Sequence, residues 1–330
     1  MRDLPGAFDR LLAELEPSVR AAFIEAINRI RTTAQLYEIE AFLERGDIEG
    51  LLDALNLSPD YFRSVQDAVD NVFYSGAQFQ VSLAASVSSI PFNRRHLQAE
   101  AWARENGSRL IVEISEATRD GVRQIITTGL AEGRSSGKLA RQIVGTKNRA
   151  TGQRESGILG LTSQQAAFAE NARKELLGLD AAYFRRKDRD RRYDPTVRKA
   201  IKTGKPIPQA EINKIIRRYA DILLVRRGAV IAQTESHQAL NAGRYEAMRQ
   251  TAENAGVPVT AITAKWQASR DGRTRDTHMA LRGKKVSYGK AFVSPSGAQM
   301  KFPGDRSLGA PAGETINCRC TLTFELDIAR

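Results

Sequence analysis

The sequence contains few of the residues on which disulfide-stabilised and metal-rich proteins depend. Its 330 residues include only two cysteines and three histidines. Cys318 and Cys320 are too few for the disulfide framework of a small secreted protein, and they lie too close together for an unstrained bond to each other. The cysteine content therefore indicates a reducing compartment.

The sequence also lacks a long apolar run. No segment approaches the roughly 18 apolar residues that a membrane-spanning helix needs. Asp3 and Asp9 interrupt the start of the chain, where a signal peptide has basic and then apolar residues. We therefore expect neither membrane insertion nor secretion.

Positive charge exceeds negative charge, and the two are unevenly distributed. The net charge is +12. Residues 1–70 contain 14 acidic and 7 basic residues, whereas residues 185–227 contain 15 basic and 5 acidic residues. The acidic N-terminal residues therefore repel a phosphate backbone, whereas the basic stretch 185–227 attracts it. This polarity suits a protein placed between another protein and nucleic acid, although a solvated surface without a partner has the same pattern.

Apolar spacing predicts a mainly α-helical protein with a small α+β module at its C-terminal end. We divide the chain into an acidic helical region (1–90), a helical body with the basic stretch 185–227 (91–256) and the α+β module (257–330). Ser58, Pro59 and Asp60 predict the start of a helix, because serine can cap it and proline suits its first position. Further along the chain, the predicted helices are 94–106, 108–132, 163–177 and 209–255, with a break at Gly107 and a possible one near Gly228. The predicted strands are 259–267 and 317–326.

Three motifs in the last hundred residues occur in a fixed order: IAQTESHQALNAGR, then WQASRDGRTRDTHMALRG, then FPGD followed by INCRC. This arrangement resembles the Mu F-like minor head proteins of tailed phages. The resemblance covers about residues 230–326. The matching residues are Thr234, Glu235, Trp266, Asp271, Arg273, Arg275, His278, Gly283, Pro303, Glu314 and Asn317–Cys320.

The resemblance implies a structural protein rather than an enzyme. A protein of this family is expected in the virion, inside the capsid near the portal, after passing through the host cytoplasm during assembly. The implied partners are the portal protein, the capsid interior and packaged double-stranded DNA. The implied role is head morphogenesis or DNA delivery.

His278, Cys318 and Cys320 are candidate zinc ligands, because imidazole and thiolate suit that metal. A fourth ligand would come from Asp271, Asp276, another residue or water. The alternative is that the two thiols pack as small apolar groups beneath a hydrogen-bonded histidine. The same residues underlie the main competing function, a zinc-dependent nuclease acting on DNA. A toxin-like transferase ranks below it.

Two further clusters are candidate sites. Closely spaced charges predict an ion-paired turn in the α+β module, with a tryptophan as core anchor. The predicted turn contains Asp271, Arg273, Arg275 and Asp276. The structural cluster of the module comprises Trp266, Asp271, Arg273, Arg275 and Asn317. The basic stretch predicts contact with DNA phosphates or the portal, although Asp188, Asp190 and Asp194 weaken that interpretation. Its contact residues are Arg185, Arg186, Lys187, Arg189, Arg191 and Arg192.

Overall fold

The computed structural model describes residues 4–147, 150, 152, 154–269 and 272–327. It confirms the predicted fold class, since helices dominate and the strands are short. Within these residues the α-helices are α1 (Leu4–Thr33), α2 (Leu36–Arg45), α3 (Ile48–Ala54), α4 (Pro59–Leu83), α5 (Leu97–Ala131), α6 (Ser136–Val144), α7 (Ser163–Leu177), α8 (Asp194–Thr203), α9 (Gln209–Asn254), α10 (Asp276–Met279) and α11 (Ala312–Thr315).

The described strands form three small antiparallel sheets. They are β1 (Thr146–Lys147), β2 (Arg154–Glu155), β3 (Ile262–Gln267), β4 (Lys285–Ser287), β5 (Phe292–Val293), β6 (Gln299–Met300) and β7 (Thr321–Leu326). The central sheet has the order β4, β3, β7, and Trp266 of β3 pairs with Leu322 of β7. Alternate β3 side chains are buried, as expected for a strand with one face on the core.

The observed elements match the predicted helices in part. The helix predicted over 163–177 has those limits, and α4 begins at Pro59, where Ser58 Oγ accepts a hydrogen bond from the N–H of Asp60. The predicted break at Gly107 is wrong, because α5 runs through it. The suggested break near Gly228 is also wrong, since α9 is continuous for 46 residues.

The chain forms two compact units, each discontinuous in sequence. Unit 1 comprises Met1–Arg20, Val65–Ser108 and Ala229–Arg330, and unit 2 comprises Ala21–Ser64 and Arg109–Gly228. The division at residues 90 and 256, which follows composition along the chain, stays a prediction. In the part of the chain that the structure describes, no helix has the length and apolar character needed to cross a membrane.

Unit 1 is built around the second half of α9. Helix α4 packs so closely on this helix that a Cβ added to Gly243 would lie 1.9 Å from the carbonyl oxygen of Phe73. Phe73 in turn stacks on Trp102 of α5, with the ring centroids 4.4 Å apart. Tyr245 of α9 stacks on Tyr288 at 4.2 Å. The α+β segment therefore shares its core with α9.

Unit 2 contains a buried loop that two arginines hold in place. Arg31 of α1 donates to the carbonyl oxygens of Gly157 and Leu159 at 2.5 and 2.7 Å. Arg227 of α9 donates to the carbonyl oxygen of Gly160 at 2.7 Å. Burial lowers the pKa of both guanidinium groups to about 10, so both remain charged at neutral pH. They satisfy carbonyl groups that burial would otherwise leave without donors.

Candidate functional site

His278 lies in α10 with its side chain buried. Its backbone N–H donates to the carbonyl of Arg275, the residue before the helix. Its ring makes an edge contact with Trp266, with centroids 5.4 Å apart and planes at 78°. Because Trp266 is fully buried on β3, the core of unit 1 fixes the orientation of the imidazole.

Cys318 and Cys320 lie between α11 and β7, and both carry free, buried thiols. The preceding residue, Asn317, has a left-handed backbone with φ of 54°. Its N–H donates to Thr234 Oγ1 at 3.1 Å. Asn241 Nδ2 donates to the carbonyl oxygen of Cys320, also at 3.1 Å. Side chains of α9 thus hold the backbone on both sides of Cys318.

The three candidate metal ligands come together in the structure. Nδ1 of His278 lies 3.5 Å from Sγ of Cys318 and 3.5 Å from Sγ of Cys320. All three donor atoms lie within 4.8 Å of one another. The sequence placed the cysteines forty residues from the histidine, so only the fold creates this cluster.

Glu314 of α11 completes the cluster on the opposite side of the imidazole. Its Oε2 lies 2.8 Å from Nε2 of His278, at ion-pair distance. The hydroxyls of Thr277 and Ser296 donate to its two oxygens at 3.0 and 2.6 Å. Burial opposes ionisation of this carboxyl group, but these hydrogen bonds and the contact with His278 lower its pKa overall. Glu314 is therefore a carboxylate at neutral pH.

The two thiols are not equivalent. A hydrogen bond from Cys318, together with the contact with His278, lowers the pKa of Cys320 despite its burial. The same hydrogen bond, reinforced by burial, raises the pKa of Cys318. Cys320 is thus the better thiolate of the pair, and thiolate is the form that binds metals.

The predicted structural cluster of the module is brought together in part. Trp266 is the core anchor that the sequence indicated. A guanidinium N–H of Arg275 donates to the carbonyl of Ile316, next to Asn317. Arg273 is exposed, and Asp271 lies outside the described residues. The ion-paired turn that spans these charges stays a prediction.

The main feature that the sequence did not reveal is the burial of polar side chains on α9. Every residue from Thr234 to Thr251 is buried. Arg244 donates to Gln80 Oε1 at 3.2 Å, to Thr321 Oγ1 at 2.5 Å and to the carbonyl of Leu322 at 2.9 Å. The helix therefore binds β7 through hydrogen bonds as well as apolar packing.

Half of the predicted contact residues in the basic stretch form ion pairs within the fold. Arg186 pairs with Glu175 at 2.6 Å, and Arg189 pairs with Asp194 at 2.9 Å. Arg192 pairs with Asp190 at 2.6 Å but remains exposed. The interleaved acids thus neutralise neighbouring arginines, and Arg186 and Arg189 are largely covered. The ion pairs of Arg186 and Arg189 therefore stabilise the segment between α7 and α8.

The other three contact residues, Arg185, Lys187 and Arg191, are exposed. Among the residues with a described position, none of the three forms an ion pair. Exposed lysines continue along α8 and the segment after it. These lysines are Lys199, Lys202 and Lys205. The cationic surface of this stretch is therefore narrower than the sequence suggested, but it extends further towards α9.

A second basic feature that sequence reasoning missed is a cleft of about 490 Å³ in unit 2. Its cationic lining comes from α6, α7, α9 and the turn after α5, so no single segment signals it. The lining side chains with formal charge are Glu132, Arg134, Lys138, Arg141, Arg173 and Arg217. Three of these cations, Arg134, Arg141 and Arg173, form ion pairs with acidic side chains of unit 2, so the fold neutralises much of the positive charge.

Residues 194–323 match the family model described as Phage Mu protein F like protein. These residues form a Mu F-like region. The match confirms the resemblance drawn from the sequence motifs, and it contains His278, Glu314 and both cysteines. It also extends upstream of residue 230, into α8 and the whole of α9.

The chain is also similar to a named protein of Bacillus phage SPP1, the minor head protein GP7. The two chains are 31% identical over 105 residues, which is 32% of this chain and 32% of GP7. The match therefore spans about a third of that relative's length. No solved structure matches the chain.

Proposed function

We propose that the protein is a minor head protein, a structural component of the virion of a tailed phage or phage-like particle that acts in head morphogenesis or DNA delivery. The match of residues 194–323 to the Mu F-like family carries this proposal, together with the similarity to a protein named as a minor head protein. The role is non-enzymatic. It requires a rigid region for attachment, and the closely packed core around α9 suits that requirement.

The competing zinc nuclease has no specific support in the geometry. A catalytic zinc keeps one coordination position open to water and substrate. His278, Cys318 and Cys320 are 1%, 2% and 0% exposed, so substrate has no direct access to them. We therefore do not assign a nuclease activity to this cluster.

We further propose that the protein attaches to the portal on the capsid interior. The uneven charge supports this arrangement, because the acidic first 70 residues avoid DNA and suit a protein partner. Portal protein immobilised on beads is expected to retain the full chain after nuclease treatment, which removes bridging by DNA. If retention disappears once the nucleic acid is digested, the attachment to the portal is refuted.

The exposed cations of the basic stretch are proposed to contact packaged DNA. Each phosphate contact releases counterions, so binding weakens as salt rises. Changing Arg185, Lys187 and Arg191 together to alanine is expected to lower the slope of log affinity against log salt by about 2 to 3. Fluorescence anisotropy with a random-sequence duplex over a salt series measures that slope.

A matched variant controls for the loss of net charge. Arg282, Lys284 and Lys290 are exposed cations on the α+β segment of unit 1, and their replacement by alanine removes the same charge. The proposal predicts an unchanged salt slope for this control. Equal slopes for the two triple variants would show that binding depends on total charge and not on this surface.

A further inference from the structure

In the cluster of His278, Cys318 and Cys320, two sulfur atoms lie close to the single lone pair on Nδ1 of the imidazole. A neutral imidazole whose Nε2–H faces a carboxylate has a single acceptor lone pair, on Nδ1. Here Nε2 lies 2.8 Å from Oε2 of Glu314, and Nδ1 is 3.5 Å from two sulfur atoms at once. One lone pair accepts one good hydrogen bond, and the hydrogen bond between the two thiols would leave only one sulfur to pair with Nδ1, although both lie equally close to it.

We propose that these three residues hold a structural zinc ion. Zinc bonds are about 2.3 Å to cysteine sulfur and about 2.0 to 2.1 Å to histidine nitrogen, in a tetrahedral arrangement. Those values place each sulfur about 3.6 Å from the ligating nitrogen. The two observed distances of 3.5 Å agree with this separation. A cation between the three atoms uses the Nδ1 lone pair and both sulfurs together.

The surroundings of the cluster match those of a metal-bound histidine. A ligating histidine usually directs its other ring nitrogen at a carboxylate, which fixes the tautomer and makes the ring more basic. Glu314 occupies that position, and Thr277 and Ser296 hold it through both oxygens. Burial of this carboxylate is explained if it balances a cationic centre.

The position of the ion assigns it a structural role. Its ligands lie on α10 and on the segment between α11 and β7, two parts of unit 1 that are about forty residues apart in sequence. An ion shared by both parts fastens them, and burial closes the site. The described residues supply three of the four ligands of a tetrahedral site. Asp271, a further candidate from the sequence, lies outside the described residues.

Metal titration of the full chain tests the proposal. The reduced chain is freed of metal with a chelator, and Zn²⁺ or Co²⁺ is added in steps. We expect one zinc per chain by mass spectrometry of the dialysed protein. Cobalt is expected to give the charge-transfer absorption of thiolate coordination. Refilling with zinc should raise the melting temperature. A wild-type chain that binds no zinc and gives no such absorption overturns the proposal.

Three variants sharpen the test. Cys320→Ser is expected to abolish the cobalt charge-transfer band at stoichiometric metal. Glu314→Gln keeps the shape of its side chain and is expected to weaken zinc binding about 10- to 100-fold. His96→Gln removes a histidine outside the cluster and should leave binding unchanged. Equal binding by wild type and Cys320→Ser contradicts the proposal. If Cys320→Ser fails to fold, the wild-type titration still decides.

Discussion

Gly243→Ala is expected to lower the free energy of unfolding by about 3 kcal/mol. The added Cβ would lie 1.9 Å from the carbonyl oxygen of Phe73, a backbone atom that moves only with α4 itself. Gly76, on the facing helix, makes a similar contact, since its Cβ would lie 2.4 Å from the carbonyl oxygen of Leu240. Denaturant unfolding of the full chain, followed by circular dichroism, measures the change.

The control for this prediction is Gly313→Ala in α11. Gly313 has a negative φ and nothing within 4 Å of an added Cβ. This substitution is expected to leave the free energy of unfolding within about 0.5 kcal/mol of the wild-type value. Wild-type stability in Gly243→Ala would show that α4 and α9 are not in backbone contact.

Arg244→Ala is expected to destabilise the protein by about 4 kcal/mol. Its guanidinium group is buried against aromatic rings and donates to three buried acceptors. Burial lowers the pKa of this group to about 9, so it still carries its charge at pH 7. Removing it leaves Thr321 and the carbonyl of Leu322 without their donor and opens a cavity beside Phe8.

Two comparisons separate the contributions at Arg244. Arg244→Met retains much of the side-chain volume but loses the hydrogen bonds and the positive charge, so an intermediate loss of stability is expected. Arg282→Ala removes an exposed arginine and should be nearly neutral. Denaturant unfolding of the full chain, followed by circular dichroism, measures the change in all three variants. If Arg244→Ala unfolds at the wild-type midpoint, the hydrogen bonds from α9 to β7 do not contribute to stability.

Local sequence signals predicted the helices well where capping and apolar spacing agree. Ser58 and Pro59 marked the start of α4, and the limits of α7 followed from its pattern. The break predicted at Gly107 was wrong. This glycine allows a neighbouring side chain to approach the helix closely, since an added Cβ would lie 2.5 Å from the side chain of Gln66. The sequence cannot distinguish a glycine that breaks a helix from one that admits a close neighbour.

The candidate site was predicted less completely than the helices. His278 and the cysteines stand out because such residues are rare in this chain. Glu314 was noted only as a matching residue, because nothing in its local sequence indicates a contact with His278. Tertiary contacts decide burial, and these contacts join residues that are far apart in sequence.

The basic stretch shows how interleaved acids change the meaning of a charge cluster. Asp188, Asp190 and Asp194 weakened the case for DNA contact, and each of them pairs with arginine in the fold. A local pair such as Arg192 with Asp190 follows from proximity in sequence. The pair of Asp188 with Arg226 of α9 does not, since it depends on how α9 passes the loop.

The composition of purified particles tests the proposed function most directly. Quantitative mass spectrometry of particles purified through a density gradient is expected to find this protein in a constant, small ratio to the portal protein. The ratio should persist after the particle surface is treated with protease, because an internal protein is protected. If the protein is found only in the soluble fraction of the host lysate and never in mature particles, the account is contradicted.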